Sequence, residues 1–105
     1  MIEAVFERKN GRLCGFSVRG HAGYADAGED IVCAAVSSAV QFTTILITES
    51  FQEQDEERQD GDRITVRLKA PDMGQSARVI GGLYQHLQYI SEDYPGTISI
   101  QIMEV

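Results

Sequence analysis

Three observations predict an α+β chain built as a two-layer α/β sandwich, in the order β-β-α-β-α-β, with a four-stranded sheet carrying two helices. Four short segments, near 2–8, 12–19, 64–68 and 98–102, alternate apolar and polar residues, the period-two mark of strands buried on one face. Two longer segments, from Ile31 to about Phe51 and from about Met73 to Glu92, carry apolar residues at helical spacing. The turn Lys9-Asn10-Gly11-Arg12 joins the first two strands. Half-buried strands need helices to cover their apolar face. A chain of 105 residues has the length of one domain, residues 1–105, and closes a modest core without metal or disulfide staples.

Each element has a local cause. Asn-Gly tolerates the positive φ angles of a type I′ turn, the strongest short hairpin signal. On the second strand Cys14, Phe16 and Val18 share one face, which predicts a small, buried, unreactive Cys14. The segment from His21 to Glu29 is small, polar or glycine and reads as a loop with hinges at Gly20, Gly23 and Gly28. The helix that follows is apolar on most sides in its first half and should be central. Asp30 stands at its N-cap position, which puts Cys33 in the first turn and Ser37 four residues on, along the same face. Asp60-Gly61-Asp62 is a turn signal before Ile64, Val66 and Leu68, and Pro71 ends that strand. Asp72 and Gln75 fit a D-x-x-Q variant of the capping box. Tyr94-Pro95-Gly96 stops the second helix before Ile98, Ile100 and Ile102.

Composition excludes several classes. The chain is 43% hydrophobic and 24% charged with a net charge of −7, so no general affinity for nucleic acid is expected. Seven carboxylates lie between Glu49 and Asp62, with Arg58 as the only base among them. That stretch reads as a solvated helix end and loop, or as an acidic lip that steers a basic partner. No run of about 18 apolar residues is seen, so no membrane span is expected. Met1-Ile2-Glu3-Ala4-Val5-Phe6-Glu7 lacks the basic region and cleavage site of a signal peptide, which predicts a cytoplasmic protein. Cys14 and Cys33 are nineteen apart, in no C-x-x-C pattern, and no disulfide is expected.

The chemistry concentrates in Gly20-His21-Ala22-Gly23 … Gly28-Glu29-Asp30-Ile31-Val32-Cys33. A helix N-terminus carries roughly half a positive charge and favours thiolate over thiol at Cys33. A base on a mobile loop, His21, can pair with that thiol and later protonate a leaving amine. The amides of Cys33 and its neighbours are the expected oxyanion donors. Asp30 either orients His21 or simply caps the helix; the sequence leaves both open. Ser37 either hydrogen-bonds in the pocket floor or allows close packing. His86, inside the second helix, has no acidic residue at short helical spacing and is read as structural or solvent-facing.

The run Gly20-His21-Ala22 … Gly28-Glu29-Asp30-Ile31-Val32-Cys33-Ala34-Ala35-Val36-Ser37 resembles the signature of the Prp family, the bacterial ribosomal-processing cysteine proteases. The resemblance extends over essentially the whole chain. It implies His21 as catalytic base and Cys33 as nucleophile, with Asp30 and Ser37 as supporting positions and no cofactor or metal. It also implies a substrate, the N-terminal extension of a basic large-subunit ribosomal protein, protein twenty-seven, cut after a hydrophobic motif containing aromatic residues. Homodimers are implied as well, and a His-bearing loop that settles when the peptide binds. One alternative is a non-catalytic acidic ribosome-assembly factor that binds the same basic protein. Zinc held by His21, Glu29, Asp30 and Cys33 lacks the paired short spacing of a structural site. A thiol–disulfide role would need Cys14 to be accessible.

Overall fold

The structure, a computed structural model, describes residues 1–26 and 28–105; Ala27, in the predicted loop, lies outside them. Its elements are β1 (Ile2–Lys9), β2 (Arg12–Arg19), α1 (Ile31–Ile45), β3 (Asp55–Asp60), β4 (Arg63–Leu68), α2 (Ser76–Asp93) and β5 (Ile98–Glu104). A π-helical turn over Leu46–Ser50 continues α1. The sheet has five strands in the order β3-β4-β2-β1-β5, one more than the alternation pattern predicts. Only β1 and β5 run parallel; the other neighbours are antiparallel.

The added strand is the acidic stretch. Asp55-Glu56-Glu57-Arg58-Gln59-Asp60 has no apolar alternation because β3 is an edge strand with little to bury. Its place comes from pairing: Glu56 lies opposite Arg67 and Asp60 opposite Arg63, across the two-residue turn Gly61-Asp62. The first hairpin turns as expected, with φ of +53° at Asn10 and +77° at Gly11.

Both helices lie against one face of the sheet. Phe6 stands opposite Phe16 on β2 and Ile102 on β5, and Phe16 opposite Val66 on β4. Phe6 and Phe16 are fully buried, their rings 6.0 Å apart, and the Tyr84 ring of α2 meets Phe6 edge-on at 5.2 Å. Truncating either Phe would cost about 3–5 kcal/mol. Val32, Val36 and Val40 of α1, with Ile80, Leu83 and Leu87 of α2, close the layer from above.

Two local expectations change. The β1–β2 register shifts between Glu7 and Arg8, so Leu13 rather than Cys14 packs on the core. Cys14 is half-buried at this bulge, where its thiol donates to the Glu7 carbonyl at 3.5 Å. Burial pushes that thiol's pKa up. In addition, α2 starts at Ser76, three residues later than predicted, and Asp72 does not cap it. Asp72 accepts from Arg12 at 3.1 Å instead. The cap comes from Glu53, whose carboxylate accepts from the Gln75 and Ser76 amides at 2.9 and 3.4 Å.

Contrary to the sequence expectation, Ile31–Ser50 reaches a mean hydropathy of 1.9 and is long and apolar enough to cross a bilayer. In this fold its Val32, Val36, Val40, Thr43 and Ile47 are buried on the core side of the helix layer.

Candidate active site

The site lies where the β2–α1 loop crosses the start of α1. Asp30 is the N-cap in extended conformation, and one carboxylate oxygen accepts from the amides of Val32 and Cys33, both at 3.0 Å. Its other oxygen accepts from Tyr24 at 3.0 Å and Ala25 at 3.2 Å. Asp30 therefore ties the loop to the helix while capping it, and among the described residues no hydrogen bond joins it to His21. The Cys33 amide foremost, with those of Ala25, Tyr24 and Val32, holds the carboxyl below its ordinary range against the opposing effect of burial.

The same geometry changes the expected oxyanion donors. The Val32 and Cys33 amides both serve the Asp30 carboxylate, and the Ala34 amide bonds the Asp30 carbonyl at 3.1 Å. The amide directed at the sulfur comes from the loop: Ala22 N–H donates to Cys33 Sγ at 3.3 Å. Ala22 itself is buried and anchors the loop to the core.

His21, just before it, is exposed and lines a cleft of about 370 Å³ together with Cys33 and Ser37. The structure thus brings three of the four sequence-predicted residues to one cavity, while Asp30 is not among its lining. Ile2, Val18, Val36, Val40 and Ile64 supply the apolar lining, and Gln41 and Asp62 add polar groups. Gln41 follows Cys33 and Ser37 at helical spacing along α1, a signal that the sequence carries. Asp62 comes from the β3–β4 turn, where it accepts from the Gly20 amide at 3.2 Å; only the fold brings these residues together.

The far side of the loop is held by a ring contact. Tyr24 meets Tyr94, at the end of α2, edge-to-face at 5.1 Å. Among the described residues no cluster of His, Cys, Asp or Glu could hold a metal ion. Both cysteines are free.

A half-buried thiol at a capped helix start, receiving an amide hydrogen bond and sharing a cleft with an exposed histidine, has the parts of a cysteine peptidase. Comparison with known proteins gives the class its family. The model of the family described as "Cysteine protease Prp" matches residues 1–99, and the chain belongs to that family of cysteine proteases. A curated relative, the ribosomal processing cysteine protease Prp of Bacillus subtilis (strain 168), is 26% identical over 107 residues, covering 95% of this chain and 96% of the relative. The solved structure of an essential ribosomal processing protease Prp from S. aureus, in complex with a covalently linked product peptide, matches with a TM-score of 0.92 at 23% identity. That match covers 98% of this chain and 100% of the other. A Streptococcus mutans protein matches with a TM-score of 0.77 at 22% identity, covering 100% of this chain and 96% of the other.

Proposed function

We propose that Cys33 and His21 carry peptide hydrolysis in this protease, and that its substrate is the N-terminal extension of a basic large-subunit ribosomal protein, protein twenty-seven. The observation that carries the reading is the Ala22 amide bonded to Cys33 Sγ, with His21, the residue before Ala22, in the same cleft.

His21 takes the proton of the Cys33 thiol, and the sulfur attacks the scissile carbonyl carbon. A C–S bond forms, the C–N bond breaks, and His21 gives its proton to the leaving amine. Water, deprotonated by His21, then attacks the thioester, and the C–S bond breaks to release the carboxylate product and the sulfur. As negative charge moves from sulfur to the carbonyl oxygen, the Ala22 amide is the donor placed to follow it. Asp30 acts by holding the loop against α1, and Ser37 lines the cleft floor.

The apolar lining supports a hydrophobic segment as substrate, and the net charge of −7 supports a basic protein as its bearer. The family relationship supports ribosomal processing as the setting, in the cytoplasm. A homodimer is supported by the groove of about 630 Å³ between α1 and α2, where Phe42 remains 61% exposed.

Mass spectrometry of the precursor ribosomal protein, incubated with wild type or Cys33→Ala, tests the reading. A single cut with wild type alone is expected. A stable complex with both forms and no cut would favour the assembly-factor reading instead.

A further inference from the structure

We infer that Asp62 is a positioning residue for His21, an assignment that rests on the catalytic reading above. The acidic stretch is not simply solvated surface, because its last carboxylate reaches the cleft. Asp62 sits in the Gly61-Asp62 turn of the β3–β4 hairpin and accepts from the Gly20 amide at 3.2 Å. Gly20 is the hinge where β2 passes into the loop that bears His21.

That hinge has little freedom on its other side. Gly20 has φ of +93°, and a Cβ there would stand 2.6 Å from the Met1 carbonyl oxygen. The backbone at residue 20 is thus wedged between the start of β1 and the Asp62 carboxylate. On the other side of His21, the Ala22 amide bonds Cys33 Sγ. The imidazole is therefore carried on a short bridge with a tether at each end.

The two tethers differ in what happens to them during the reaction. The Ala22 tether ends on the sulfur, which becomes a thioester and a poorer acceptor once the acyl group is attached. It weakens while His21 still has to activate water. The Gly20 tether ends on a carboxylate that takes no part in the chemistry. Asp62 then holds the base in register through the second half of the cycle, and a misplacement of about 1 Å can cost up to about a hundredfold in rate.

Arg19 shares the cleft wall but is ion-paired with Glu3 at 2.5 Å. Asp62 could therefore also serve by its charge, holding a cationic side chain of the substrate. The isosteric amide separates the roles, because Asn keeps an oxygen for the Gly20 amide and loses the charge.

The experiment is steady-state cleavage of a peptide spanning the processing site of the proposed ribosomal-protein extension, by wild type, Asp62→Ala, Asp62→Asn and Cys33→Ala, with amide hydrogen exchange over residues 20–26. We expect Asp62→Ala to lose roughly tenfold in kcat with KM little changed and faster exchange at Gly20, and Asp62→Asn to restore both. Wild-type kcat and exchange in Asp62→Ala would overturn the assignment. So would equal losses in both variants through KM, which would make Asp62 a substrate contact. Cleavage that survives in Cys33→Ala would overturn the catalytic reading itself. A dead Cys33→Ala beside a fully active Asp62→Ala would remove only the role of Asp62.

Discussion

Asp30 divides its two oxygens between helix and loop, and this decides what its amide analogue should do. Asn has one acceptor oxygen and sets an NH2 group against the other pair of backbone donors. If the cap keeps the oxygen, the Tyr24 and Ala25 amides lose theirs. Asp30→Asn should keep α1 intact by circular dichroism, raise hydrogen exchange across residues 22–26 and lower cleavage by about tenfold or more. Asn would be nearly neutral if capping were the whole role. That His21, Cys33 and Ser37 share a cleft was legible in the sequence, because loop glycines and a helix start are local features. The second half of Asp30's work could not, because hydrogen bonds to Tyr24 and Ala25 depend on the loop's path. The expected oxyanion donors illustrate the same limit: first-turn amides are free in principle, and here Asp30 accepts from those of Val32 and Cys33.

Within single elements, the end of α1 and the start of α2 are joined through two adjacent residues. Gln52 has φ of +54°, and on either side of it Phe51 N–H bonds the Leu46 carbonyl and Glu53 N–H that of Ile47, at 2.9 and 2.8 Å. A left-handed residue in a helix stop is easier for glycine. Gln52→Gly should therefore raise stability by about 0.5 kcal/mol, after allowing for glycine's freer unfolded chain, as chemical denaturation would show. Glu53 then caps α2 from outside. Glu53→Ala should cost about 1 kcal/mol and lower Tm by about 5 °C. The sequence placed α2 by its apolar spacing but named the wrong cap, since a capping box is read locally and Glu53 lies 23 residues from Ser76. Strand β3 escaped the pattern for a related reason. An edge strand of charged residues is held by cross-strand partners such as Arg67 and Arg63, and no alternation records them.

For the molecule as a whole, the acidic edge makes stability depend on pH. Burial first, and then the neighbouring Glu57, push the Asp55 carboxyl up to about 6. The folded chain keeps this proton between about pH 4 and pH 6, where the unfolded chain has released it. Stability from this group falls as pH rises through that window and stays lower above it. Asp55→Asn should raise Tm at pH 7.5 and leave it nearly unchanged at about pH 3.5, below both ionisations, as parallel thermal melts would show. The outer face of the helix layer has its own test. Phe42→Glu should leave the circular dichroism spectrum intact and shift sedimentation toward the monomer, if the α1–α2 groove receives a second copy. The parallel pairing of β1 with β5 sets Ile2 beside Ile98 and Arg8 beside Glu104, so the two ends of the chain depart from opposite ends of strands roughly 20 Å long. Ile2 is part of the cleft wall, whereas Val105 bonds the Arg8 carbonyl close to the first hairpin turn. A purification tag or fluorescent label joined before Met1 would crowd the entrance that a peptide must use, and one joined after Val105 would trail from the far end and leave that entrance clear.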